Sequence, residues 1–231
     1  VSKRPDMYTL FYAPTPNGKK ITLMLEALNV SYQVIPINIR KGDQFLPSFL
    51  AISPNNRIPA LIDHENNIAI FESGAILTYL AEKHGQFLPA QGADRYAVLQ
   101  WLYWQMGGLG PMAGQNHHFN HYAPEVVPYG IKRYTEETTR LYGVLNNQLA
   151  DNRYVAGNEY SIADMAIYPW VTLYEHQKQD LSQFPHISRY LQTMAARDDV
   201  QRGMQKYADF DWETSLTEAQ LQALLQHHQA K

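Results

Sequence analysis

Strand patterns in this chain are confined to the segment before Leu88-Pro89-Ala90-Gln91-Gly92-Ala93, and from Asp94 onward long helical periodicities replace them. That asymmetry demands two cores, because a small sheet covered by helices and an all-helical bundle bury their apolar faces differently. With 231 residues the chain has material for both. Met7 to Tyr12 reads as a strand. Ile21, Met24, Leu25 and Leu28 mark a helix with one buried face, and Tyr32 to Ile37 reads as a second strand that Pro36 pushes to a sheet edge. Phe45 to Ile52 is a short apolar segment. Ala60 to Asp63 and Ile68 to Phe71 are short strands joined by His64-Glu65-Asn66-Asn67, and Ser73 to Lys83 is a second helix. In the second part Tyr96 to Met106, Tyr134 to Leu149, Ile162 to Tyr174 (interrupted by Pro169) and Ile187 to Met194 carry helical spacing. The expected organisation is an α/β domain over 1–86, a linker over 87–93, a helical domain over 94–207 and a tail over 208–231. The tail's many Gln, Ala and Leu residues predict a loosely attached helix.

Bulk properties remove several function classes. The 45% apolar and 18% charged residues are those of a globular protein, and a net charge of −3 argues against a nucleic-acid binder, which needs a basic excess. No stretch approaches the ~18 apolar residues of a membrane span. The first residues lack an apolar run after their positive charges, so no secretion signal is expected and a cytoplasmic setting is. The chain has no cysteine. A CxxC redox pair, a thiolate zinc cluster and a cysteine nucleophile are therefore excluded, and any thiol chemistry must use sulfur that arrives with a ligand.

Several short motifs allow chemistry. Thr15-Pro16-Asn17-Gly18 is a polar break between a strand and an amphipathic helix, suited either to holding an anion or simply to capping the helix. Ile58-Pro59 enters a strand. An ordinary edge-strand proline is one reading; a cis bond leaving the Ile58 backbone free for an extended ligand is the other. Glu72-Ser73 opens a helix with Ser73 as its natural N-cap, and the pair could grip the ammonium and carboxylate of an α-amino acid. Ser161-x-x-Asp164 fits a capping box and is read as structural. Asn116 to His121 holds three histidines. His117 and His121 at i,i+4 could share a metal, but no third ligand stands at a recognisable spacing, so packing or hydrogen bonding in a loop is expected and no metal is. Gly107-Gly108-Leu109-Gly110-Pro111 should soften or bend its helix and is not a phosphate loop.

The order of these motifs resembles the glutathione transferase superfamily over about residues 7–207. More narrowly, Thr15-Pro16-Asn17-Gly18-Lys19, Ser53-Pro54-Asn55-Asn56-Arg57-Ile58-Pro59, Phe71-Glu72-Ser73-Gly74 and Gly114 to Phe119 resemble the bacterial Nu class, which is related to fungal nitrogen-regulator transferase-like proteins. The resemblance implies a thioredoxin-like α/β N-terminal domain, an all-α C-terminal domain and a homodimer. It implies glutathione, reduced or oxidised, as co-substrate. Ser73 and Glu72 would hold the γ-glutamyl carboxylate and ammonium, and the Ile58 backbone, before a cis Pro59, would pair with the cysteinyl residue. Gln44 and Arg57 would face the glycyl end, Thr15 and Asn17 the sulfur, and Arg133 a second glutathione or disulfide. Tyr12, near where other classes carry a thiol-activating tyrosine, is read as packing. The implied activity is glutathione-dependent reduction of a small disulfide, with weaker peroxidase activity or conjugation to electrophiles. The alternative is a glutathione-binding regulatory protein with little turnover.

Overall fold

The computed structural model describes residues 7–229. The chain forms two compact units. One takes the chain up to Leu80 together with the chain from Arg202 onward, and the other runs Ala81–Gln201.

In the first unit, β1 (Tyr8–Tyr12), α1 (Pro16–Leu28) and β2 (Tyr32–Pro36) are followed by a 3₁₀ turn at Asp43–Phe45 and the short helix α2 (Pro47–Leu50). Then come β3 (Ala60–Asp63), β4 (Ile68–Phe71) and α3 (Ser73–His84). The four strands lie in the order β2-β1-β3-β4; β1 pairs parallel with β2 and antiparallel with β3, and β3 pairs antiparallel with β4. This is the expected thioredoxin-like sheet. β2 is an edge strand, where Pro36 leaves no ladder donor missing from a neighbour. Every residue of β1 is buried, as a central strand covered on both faces requires.

The tail is not loosely attached. Leu221 of α10 (Glu218–Gln229) is fully buried in one cluster with Phe11, Ile35, Phe49 and Ile58, and Phe210, Trp212 and Leu216 pack against that cluster. Polar contacts fix the same segment. Asn38 Nδ2 donates to the carbonyls of Trp212 (2.9 Å) and Thr214 (2.7 Å), Asp43 accepts from Ser215 Oγ at 2.6 Å, and Ser48 pairs with Glu218. The composition signalled a helix but could not show that Leu221 falls where a sheet face lacks a cover.

In the second unit, helices α4 (Gly92–Trp104) and α5 (Gly110–His117) are joined by a π-helical turn at Gln105–Leu109, and a second π-turn, His118–Tyr122, follows. Pro111 near the start of α5 has no N–H for an i→i−4 bond, which accounts for the break in the α-helical ladder where the glycine run stands. The helices α6 (Pro128–Leu149), α7 (Ile162–Val171) and α8 (Pro185–Ala195) follow, and α9 (Asp198–Gln205) runs from the second unit into the first. α7 runs through Pro169 and ends at Val171, short of Tyr174. The capping box is present: Ser161 accepts from the Ala163 amide, and the fully buried Asp164 accepts from the Ser161 amide at 3.0 Å, the Val155 amide at 2.9 Å and Tyr190 Oη at 3.1 Å. Burial pushes the Asp164 carboxyl up to about 6, against the pull of those donors. Among the described residues no helix is long and apolar enough to cross a membrane.

Leu221→Ala should destabilise the first unit by about 2–4 kcal/mol in urea unfolding, whereas Leu224→Ala, at a site 37% exposed, should change it by about 0.5 kcal/mol or less. Equal effects would mean that the tail is not part of the core.

Candidate functional site

Strand register brings the N-terminal motifs to one end of the sheet. Phe11 pairs with Ala60 and Ala60 with Phe71, so the end of β1, the entry to β3 and the exit of β4 coincide. Tyr12 pairs with Pro36 in the parallel ladder, so the loop after β2, which carries Gln44, leaves from that end too. Thr15, Asn17, Gln44, Arg57, Ile58, Glu72 and Ser73 all lie in segments leaving or entering this end. Arg133 belongs to the other unit, on α6.

At the turn after β1, Thr15 is the N-cap of α1; its Oγ1 accepts from the Gly18 amide at 3.2 Å, and Pro16 takes the first helical position. Accepting uses an oxygen lone pair, so the Thr15 hydroxyl keeps its proton to donate. Thr15 and Asn17 are half-buried. The turn is tight: a Cβ at Gly18 would stand 2.1 Å from the Ala13 carbonyl oxygen, closer than any side chain permits. Tyr12 is fully buried. Its hydroxyl donates to the Lys206 carbonyl at 3.3 Å, its ring packs on Tyr207, and burial raises its phenol far above the ordinary range. It is therefore neither placed nor poised to give up a proton.

The Ile58-Pro59 bond is cis. Neither backbone polar group of Ile58 has a hydrogen-bond partner among the described residues, while Ser53 Oγ donates to the neighbouring Arg57 carbonyl at 2.8 Å. Arg57 is exposed, with Nη1 on the Asn56 carbonyl at 3.2 Å. Gln44 Nε2 donates to the Ile39 carbonyl at 3.2 Å, and its Oε1 is buried without a partner among the described residues. That leaves an acceptor suited to an N–H group.

Ser73 is not the N-cap of α3. The Ile76 amide donates to the Glu72 carbonyl at 2.9 Å, which makes Glu72 the cap residue and Ser73 the first helical one. Glu72 is exposed with φ 70°, a left-handed conformation that costs a non-glycine residue about 1–3 kcal/mol and is found preferentially at functional sites. Ser73 Oγ instead accepts from Lys20 Nζ at 3.3 Å. Lys20 belongs to none of the sequence motifs. It is 2% exposed, and burial pulls its ammonium down to about 7 against the opposing charge of Glu72. A signal existed: Lys20 precedes Met24 and Leu28 by four and eight residues, so it sits on the apolar stripe of α1.

In the second unit, Arg133 lines an open groove with Tyr129, Tyr134, Lys132, Glu136, Glu137 and Arg140, where Arg140 pairs with Glu137 at 2.7 Å and Lys132 with Glu136 at 3.9 Å. His117, His121 and His176 pack ring against ring, with His121 stacked on His176 at 3.9 Å and His121 Nε2 at 2.8 Å from the His176 carbonyl. The run is helical, not a loop. Burial and the two neighbouring rings push His117 down to about 4. Among the described residues no three His, Cys, Asp or Glu side chains are grouped to hold a metal ion.

Residues 7–82 match the family model for the N-terminal domain of glutathione S-transferase, and residues 131–198 match that for its C-terminal domain. The chain belongs to the glutathione transferase superfamily. This transferase-family chain is 52% identical over 196 residues to the disulfide-bond oxidoreductase YfcG of Escherichia coli (strain K12), covering 83% of this chain and 91% of that protein. A glutathione transferase family member from Pseudomonas fluorescens pf-5, solved with two glutathione bound, superposes with a TM-score of 0.82 at 39% identity, covering 88% of this chain and 94% of that one. A glutathione transferase from Pseudomonas putida, solved with one glutathione disulfide bound per subunit, gives 0.83 at 40% identity, covering 90% and 94%.

In this glutathione transferase fold, Gly18→Ala must displace the Ala13 carbonyl. It should cost about 1–3 kcal/mol, measured by denaturant unfolding. No change in midpoint would contradict the tight turn.

Proposed function

We propose that this chain is a glutathione-dependent disulfide-bond reductase that uses the thiolate of bound glutathione in place of a protein cysteine. The observation that carries this reading is the convergence of Thr15, Ile58, Glu72 and Ser73 at one end of the sheet in a chain without cysteine. The names and bound ligands of the relatives support it.

Glu72 and Ser73 take the γ-glutamyl ammonium and carboxylate, at a helix start whose dipole favours an anion. The Ile58 N–H and C=O pair with the cysteinyl backbone. Gln44 accepts from the glycyl amide, and Arg57 offers its guanidinium to the glycyl carboxylate. The sulfur then lies at the Thr15 hydroxyl and Asn17. Hydrogen bonds donated to a thiolate favour the anion, and a tenfold gain in thiolate fraction needs only about 1.4 kcal/mol. The bound thiolate attacks one sulfur of a small disulfide, breaks its S–S bond and expels a thiolate, which takes a proton from water. A second glutathione thiolate attacks the glutathione sulfur of the mixed disulfide and expels the second thiolate. Two glutathione and one disulfide thus become one glutathione disulfide and two thiols. Arg133 is the residue we assign to contact a carboxylate of a second glutathione or of the disulfide. Exposed Tyr96 and Tyr103 on α4 favour a homodimer. The protein is of the Nu class and works in the reducing cytoplasm, with a glutathione-binding domain over 1–86, a linker over 87–93 and a helical domain over 94–207. Weak peroxidase or conjugating activity follows from the same thiolate.

The test is reduction of 2-hydroxyethyl disulfide by glutathione, coupled to glutathione reductase and NADPH. A rate well above the uncatalysed exchange is expected; the uncatalysed rate alone would leave a glutathione-binding regulatory protein. Asn17→Ala should raise the pH at which bound glutathione ionises, read by thiolate absorbance. An unchanged ionisation would remove Asn17 from the sulfur.

A further inference from the structure

Residues 37–42, between β2 and the 3₁₀ turn at Asp43–Phe45, belong to no strand or helix, yet they set where Gln44 stands. Two side chains of this loop, Asn38 and Asp43, are polar and each only 2% exposed. Both are met by the tail. Asn38 Nδ2 donates to the carbonyls of Trp212 and Thr214, while its Oδ1 accepts from the Arg40 amide at 3.2 Å and so shapes the loop. Asp43 accepts from the loop, at the Asn38 amide (2.9 Å), and from the tail, at Ser215 Oγ (2.6 Å) and the Leu216 amide (3.2 Å). The Arg40 guanidinium lies 4.2 Å over the Trp212 ring. Gln44 is held between the same two anchors. It follows Asp43 in the chain, and its Nε2 donates to the carbonyl of Ile39, the residue after Asn38. All of these residues belong to the first unit. Apolar cover, which Leu221 supplies, does not by itself fix a loop conformation, whereas directional hydrogen bonds to buried groups do.

We propose that residues 212–216 form a latch, and that Asn38 and Asp43 are positioning residues which act through Gln44 to set affinity for the glycyl end of the ligand. The inference rests on the glutathione reading above and adds the part of the chain that holds its glycyl contact in place. With the latch closed, Gln44 Oε1 is fixed before the glycyl N–H arrives, and the ordering of the loop is completed in folding. With the latch open, that ordering opposes binding instead. The γ-glutamyl and cysteinyl contacts, at Glu72-Ser73 and Ile58, lie on other segments and do not depend on it.

Two probes without a thiol isolate the glycyl end. S-methylglutathione carries the glycyl residue, and γ-glutamyl-S-methylcysteine stops before it. Binding of each to the full chain is measured by titration calorimetry. Asp43→Ala should weaken S-methylglutathione about threefold to tenfold and leave γ-glutamyl-S-methylcysteine within about twofold. Asp43→Asn, which keeps the volume and one acceptor, and Ser215→Ala, at an exposed tail position, should show the same selectivity at about twofold and secure the test if Asp43→Ala does not fold. Gln44→Ala should show the same selective loss. Adding Asp43→Asn to it should weaken S-methylglutathione no further, because both changes act on one contact. Equal weakening of the two probes would mean a general loosening of the domain and overturns the latch. Unchanged affinity for S-methylglutathione in every latch variant overturns it too, as does additive weakening in the double variant. If the shorter probe binds no variant and not the wild type, the double-variant comparison decides alone. Gln44→Ala without effect overturns the inference and leaves the glutathione reading intact. No binding of S-methylglutathione or glutathione by the wild type overturns both.

Discussion

The pairing of Phe11 with Ala60, and of Ala60 with Phe71, is the constraint on which the rest of the site depends. It makes three distant segments end at the same edge: the turn capped by Thr15, the Ile58-Pro59 entry and the Glu72-Ser73 helix start. A slip of one residue would reverse every side chain of β3 between faces, exchanging the small Ala60 with the larger Leu61 on two buried faces. The tail adds to the same core, since Leu221 belongs to the buried cluster that holds Phe11, Ile58 and Ala60. The segment beyond the family-model matches is thus part of the core under the site.

A chain without cysteine can still run thiol chemistry if it supplies only position and charge. The capping geometry does this economically. Thr15 satisfies the Gly18 amide with a lone pair and keeps a donor, and the helix start adds further amides. Tyr12, whose position invites comparison with thiol-activating tyrosines, is removed from that role by its bond to the Lys206 carbonyl. The sulfur is left to the turn.

Much of the fold was legible because periodicity alternates cleanly: Met7 to Tyr12 and the Ile21–Leu28 stripe fell where expected, and Pro36 marked an edge strand. The capping box at Ser161 and Asp164 was legible as local chemistry. What escaped depends on tertiary context. Ser73 has the composition of an N-cap, yet the backbone places Glu72 there, because the strand must turn sharply before the helix begins. The tail's packing required knowing which sheet face lacked a cover. Lys20 was hidden because a lysine inside a helix is ordinarily a solvent-facing residue, and only its line with Met24 and Leu28 says otherwise.

The central claim, that a ligand sulfur sits at the turn after β1, is tested most directly by a crystal structure with oxidised glutathione. The account predicts one sulfur within hydrogen-bond reach of Thr15 Oγ1 and the Asn17 side chain, with the Tyr12 hydroxyl still on the Lys206 carbonyl. A sulfur bonded to Tyr12, or a ligand away from Ile58 and Ser73, would contradict it.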